Sequence, residues 1–184
     1  MSDFALLGIS GALRKGSTNT MLVHEAARVF EPGRFEMGDL RLPLFDEDVQ
    51  NGPGIPAEVT RLASQIAAAD AVVISTPEYN KNLSGVLKNA LDWVSRTDLA
   101  PWRGKPVAIM SAADGRAGGE RAQFSLRHCL TPFRPRILQG PELMVADARN
   151  QFDQAGRLTN ELSLKTLGFL MKALRAEVGL VRQG

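Results

Sequence analysis

The sequence predicts a doubly wound α/β domain, a parallel sheet covered by helices on both faces. Three observations predict it. Short apolar runs at 4–9 (FALLGI), 71–75 (AVVIS) and 106–111 (PVAIMS) do not alternate with polar residues, as in strands buried on both faces. Segments with helical periodicity separate them. Glycine- and proline-bearing loops follow each run, and right-handed crossovers of this length place helices on both sides of a parallel sheet. No linker or repeat divides the 184 residues, so one domain over 1–184 is expected.

Each element has its own signal. After the first strand and the loop SGALRKGST, a helix runs from Asn19 to Phe30 on the stripe Met21, Leu22, Glu25, Ala26, Val29, Phe30, and Glu31-Pro32-Gly33 stops it. Arg34 to Met37 is read as a second strand, and Leu40 to Pro56 as a long surface loop. Pro56 opens a helix reaching about Ala69, the first turn being where proline costs least. The strand at 71–75 leads into Thr76-Pro77-Glu78-Tyr79-Asn80. Leu83, Val86, Leu87, Ala90, Leu91 and Val94 then form the best helical stripe in the chain. The strand at 106–111 feeds the loop AADGRAGG and a helix from Glu120 to Leu130. Arg136 to Val145 supplies a last strand broken at Gln139-Gly140-Pro141. Asn150 to Thr159 is turn-rich, and Asn160 to Val178 forms the terminal helix.

Composition excludes several classes. Hydrophobic residues make up 44% and charged residues 23%, so a core can form and disorder is not expected. The single cysteine, Cys129, cannot form an internal disulfide or a cysteine-based metal centre, which suits a reducing, cytoplasmic setting. No apolar run is long enough to cross a membrane. A net charge of +2 lacks the clustered excess that binds nucleic acid. His24 and His128 show no metal-ligand spacing, and Asp46-Glu47-Asp48 lacks the glycine and terminal glutamate of a calcium loop, so no metal is expected.

Ligands of open α/β sheets bind beyond the carboxyl ends of the strands. The first such loop carries Ser10, Arg14, Ser17 and Thr18 ahead of a helix N-terminus, a set of donors that suits a phosphate and that also serves simply to turn and cap the chain. Gly11 and Gly16 have Walker spacing, yet Ser17 stands where the lysine is required. The G-x-G-x-x-G fingerprint is absent, leaving a monophosphate. The second loop, Thr76 to Asn80, offers a fixed backbone, an aromatic ring and an amide to a flat heterocycle. The third, with Asp114, Gly115, Gly118 and Gly119, lets backbone N–H groups approach the same ring.

The motifs GALRKGSTN at 11–19, PEYN at 77–80, GVLKNALDW at 85–93, GGERAQ at 118–123, Leu126-Arg127 and FDQAGRL at 152–158 together resemble the NADPH-dependent FMN reductase family, which includes flavodoxin-like quinone, chromate, azo and ferric reductases. The resemblance spans nearly the whole chain. It implies a flavodoxin-like five-stranded parallel sheet of order 2-1-3-4-5 and non-covalently bound FMN. It places Arg14, Ser17, Thr18 and Asn19 at the flavin phosphate, Pro77, Glu78, Tyr79 and Asn80 along the ring, and Ser111, Gly115 and Gly119 at the pyrimidine edge. Ala12 stands where many members carry serine, and Ser10 is the nearest hydroxyl that could replace it.

The same resemblance implies NADPH or NADH as co-substrate, a hydride passed to the flavin and then electrons to small-molecule acceptors, with no side chain acting as acid, base or nucleophile. It also implies a homodimer or a homotetramer. Arg96 is read either as a contact to the nicotinamide coenzyme across a subunit interface or as an ordinary cation at a helix C-terminus. The alternative function is a flavodoxin-like electron carrier reduced only by a partner protein. Such carriers are usually strongly acidic, and this chain is not.

Overall fold

The computed structural model describes residues 3–183. At its centre the strand β3 (Ala71–Thr76) is buried along its whole length, and β1 (Ala5–Ser10) and β4 (Pro106–Ala112) flank it in parallel register. The strand β2 (Arg34–Gly38) pairs the outer side of β1. Continuous Val, Ile and Ala runs suit these central positions because both faces are covered.

Alternate side chains divide between two cores. Val73, Ala108 and Met110 face the helices α1 (Thr18–Phe30) and α6 (Glu161–Gln183). Val72, Ile74 and Ile109 face α3 (Ala57–Ala68), α4 (Gly85–Val94) and α5 (Glu120–Leu130). Gly8 sets the distance between β1 and α1, since a Cβ there would lie 2.3 Å from Val23 Cγ1.

Two expectations change. The last strand is two strands: β5 (Arg136–Ile137) pairs the start of β4 and β6 (Leu143–Val145) pairs its end, so the sheet has six strands, in the order β2-β1-β3-β4-β5 with β6 also on β4. Pro141 has no N–H to donate, which fits the interruption between them. The 40–56 segment is not all loop. It holds a short helix, α2 (Glu47–Asn51), whose N-cap Asp46 accepts the N–H of Asp48 at 2.9 Å. The acidic run is thus a helix start, where negative side chains are favoured.

Several motif residues prove to be braces. Trp93 Nε1 and Asn89 Nδ2 both donate to the Pro43 carbonyl, at 2.8 and 2.9 Å, and Asn89 Oδ1 accepts from Phe45 N–H, fastening the 40–56 segment to α4. Within FDQAGRL, Phe152 and Leu158 pair across a tight turn, and Arg157 reaches the buried carboxylate of Glu25 at 2.6 Å. Cys129 is half-buried on α5 against the second core. No described helix is long and apolar enough to cross a membrane.

Candidate functional site

The loops after β1, β3 and β4 meet at one end of the sheet and enclose a cleft of about 780 Å³. That volume lies within the usual range for a cofactor-sized ligand, about 300–1,000 Å³. Arg14, Ser17, Thr18 and Asn19 form one wall, Pro77, Glu78 and Tyr79 a second, and the 112–121 segment the third.

The first wall is a helix start. Ser17 caps α1, its Oγ accepting the N–H groups of Asn19 at 3.2 Å and Thr20 at 3.4 Å. Thr18 begins the helix, and its N–H has no partner among the described residues. Arg14 Nη1 donates to the Gly16 carbonyl at 2.8 Å, holding a cation over this turn. A helix N-terminus with an arginine beside it is a receptor for an anion.

Asn19 serves a different purpose from the one expected of its side chain. Its Nδ2 donates to the Ala112 carbonyl at 2.9 Å, and its Oδ1 accepts from Ala112 N–H at 3.0 Å and Ser75 Oγ at 2.7 Å. The residue is buried and ties α1 to the ends of β3 and β4. It therefore fixes the first wall relative to the third.

The second and third walls are joined by Glu78. Gly119, the N-cap of α5, has no side chain, and Glu78 Oε2 accepts the N–H of Arg121 at 3.1 Å and of Ala122 at 3.4 Å in its place. Gly119 itself adopts φ 94°, and a Cβ there would lie 2.7 Å from Ser111 Cβ. Gly115, by contrast, has open space where its Cβ would stand. Asp114 accepts from Arg149 Nη2 at 2.6 Å and from its backbone N–H at 3.1 Å. Those hydrogen bonds hold the Asp114 carboxyl below the ordinary carboxylate range.

Nine expected residues, Arg14, Ser17, Thr18, Asn19, Pro77, Glu78, Tyr79, Gly115 and Gly119, line the cleft. Three are set apart from it. Ser111 is fully buried, donating to the Gly118 carbonyl at 2.6 Å and accepting from Gln123 Nε2 at 2.9 Å, so it supports the third loop from beneath. Asn80 sits in the exposed Tyr79–Asn82 turn at φ 50°. Ser10 lies behind the first loop, accepting the Thr20 hydroxyl at 2.9 Å. Arg96 is also outside the cleft, 3.7 Å from Glu47 and stacked over Phe45. Arg116, Arg121 and Ala148 join the walls unannounced. Arg116 stood in plain view in the third loop and Arg121 in the GGERAQ motif that opens α5, whereas Ala148 has no motif to mark it.

The residues of the cleft suit a phosphorylated flat heterocycle: a helix N-terminus with an arginine on one wall, and an aromatic side chain and a glycine-bearing backbone on the others. The sequence profile of the NADPH-dependent FMN reductase family matches residues 4–150. The chain belongs to this family. It is 43% identical over 182 residues to an NAD(P)H-dependent FMN reductase of Pseudomonas aeruginosa, covering 98% of both chains. It is 41% identical over 162 residues to a quinone reductase of Escherichia coli, covering 85% of this chain and 86% of that one. Among solved structures it matches FerB, a flavoenzyme NAD(P)H:(acceptor) oxidoreductase of Paracoccus denitrificans, at TM-score 0.82 and 29% identity over 98% of each chain. The protein is thus a flavodoxin-like oxidoreductase whose cofactor is FMN and whose reductant is NAD(P)H.

Proposed function

We propose that this protein transfers two electrons from NADPH or NADH to quinones in two half-reactions that use the same cleft in turn. FMN, when bound, would supply the redox chemistry, as hydride acceptor from the coenzyme and electron donor to the acceptor. The observation that carries this reading is the joining of the three walls around one cleft. Thr18 N–H and Arg14 would hold the phosphate there, and Tyr79 and the Gly115–Gly119 backbone would border the ring.

The protein's part is to position and to balance charge. Pro77 stiffens the second wall. Backbone N–H groups of the third loop, with Arg116 and Arg121, favour negative charge at the pyrimidine edge. The wall contains no His, Cys or Lys among the described residues. Of the acids in the wall, Glu78 is engaged with the N-terminus of α5 and Asp114 with Arg149.

Quinones lead as acceptors because a relative 41% identical is named a quinone reductase. An open cleft also admits other oxidants, and chromate, azo compounds and ferric complexes belong in the same panel. A homodimer, or a homotetramer, would bring Arg96 of one copy toward the coenzyme held by another.

The test is anaerobic. The yellow FMN-loaded protein should be bleached by one equivalent of NADPH or NADH and regain its colour on addition of one equivalent of benzoquinone. Failure of both coenzymes to bleach it would leave an electron carrier, reduced only by a partner protein, as the function.

A further inference from the structure

A second cleft of about 440 Å³ lies on the far side of the first loop, between that loop, α1 and the end of β2. It is contiguous with the first, since Ala12, Arg14 and Ser17 line both. Its wall carries three cations, Arg14, Lys15 and Arg41, against one acid, Asp39. Met21 and Met37 add polarisable apolar surface, which suits a flat base.

Arg41 is already oriented. Its Nη2 donates to the Leu13 carbonyl at 3.0 Å, and its Nη1 and backbone N–H both reach Asp39 Oδ1, at 3.2 and 3.0 Å. The guanidinium thus bridges the end of β2 to the first loop and has donors to spare. Lys15 makes no ion pair or hydrogen bond among the described residues. Asp39 directly follows β2, and its carboxylate holds Arg41 against the first loop. Here Arg41 offsets the acid, and Lys15 and Arg14 leave the cleft positive.

We infer that this second cleft receives the 2′-phosphoadenosine end of the nicotinamide coenzyme, with Arg41 and Lys15 meeting the 2′-phosphate, and so gives the enzyme its preference for NADPH over NADH. This rests on the coenzyme reading proposed above. The nicotinamide enters the first cleft and the adenosine end crosses Ala12 and Arg14 into the second.

Calorimetry on the FMN-loaded protein tests the cleft by itself, with adenosine 2′-monophosphate, adenosine 5′-monophosphate and inorganic phosphate as probes. The 2′-monophosphate should bind about tenfold or more tighter than the other two, and Arg41→Ala and Lys15→Ala should each remove most of that advantage, as loss of a charge-assisted contact requires. Arg41→Lys should keep part of it. Equal binding of the three probes, or unchanged binding of the 2′-monophosphate by Arg41→Ala, would overturn the assignment. In flavin reduction, the ratio of kcat/KM for NADPH to that for NADH should fall about tenfold in Arg41→Ala, and an unchanged ratio would count against it. If neither coenzyme reduces the protein, the coenzyme reading fails, while the calorimetry still decides what this cleft binds.

Discussion

Glu78 and Arg121 are joined through the backbone: the Glu78 carboxylate accepts the Arg121 N–H at 3.1 Å and closes the N-terminus of α5 from a neighbouring loop. A helix whose own N-cap is Gly119 obtains its cap from 43 residues earlier in the chain, and two walls of the cleft become one unit. Glu78→Ala should cost about 0.5–2 kcal/mol, the range for a lost cap, and Glu78→Gln, which keeps an acceptor oxygen, clearly less. Thermal unfolding measures the first effect, and FMN titration should show weaker binding in the same order.

Asn19 joins α1 to β3 and β4 with three hydrogen bonds in a buried site. Asn19→Ala leaves the Ala112 N–H and carbonyl without partners, and about 2–4 kcal/mol of stability should be lost. Urea denaturation gives the value. A loss under about 0.5 kcal/mol would mean that water replaces the amide.

Arg14 holds its cation over the opening turn of α1. Arg14→Ala should weaken FMN binding by about 1–3 kcal/mol, the scale of a charge-assisted contact to phosphate. Riboflavin, which lacks the phosphate, supplies the control in fluorescence titration: its affinity should hardly change.

Gly119 stands at φ 94° against Ser111. Gly119→Ala should destabilise the fold by about 1–3 kcal/mol and lower FMN affinity together, because relieving the contact moves the third loop. Equal affinity in the variant would show that this backbone does not border the flavin.

Far from the cleft, Asp70 accepts the Ala5 N–H at 2.7 Å and binds Arg182 at 2.9 and 3.1 Å, tying β1 to the end of α6. Burial alone would raise its pKa, but the bonds from Arg182 and Ala5 and the charges of Arg182 and Lys105 bring it below the ordinary value. The unfolded carboxyl titrates near about 3.9, so the stabilisation is complete above about pH 5 and disappears as the pH falls through the folded value. Asp70→Asn should therefore be less stable than the natural chain at pH 7, with the two urea midpoints converging below about pH 4.

The strands and the three loops were legible because apolar runs, helical periodicity and Gly–Pro punctuation are local signals. What each motif side chain does was not legible, because it is decided by distant partners. Asn19 is committed to Ala112, 93 residues away, and Asn89 and Trp93 to Pro43, 46 and 50 residues away. Ser111, expected at the pyrimidine edge, instead points beneath the third loop, since a strand residue's face depends on a register that the sequence does not state. The break at Gly140-Pro141 was visible. That both halves then pair the same strand was not.

A crystal structure of the protein with FMN tests the central claim most directly. It should show one flavin per chain, the phosphate on Thr18 N–H and Arg14, and the ring between Tyr79 and the Gly115–Gly119 backbone. A flavin bound elsewhere, or reversed so that its phosphate meets the 115–119 loop, would contradict the account.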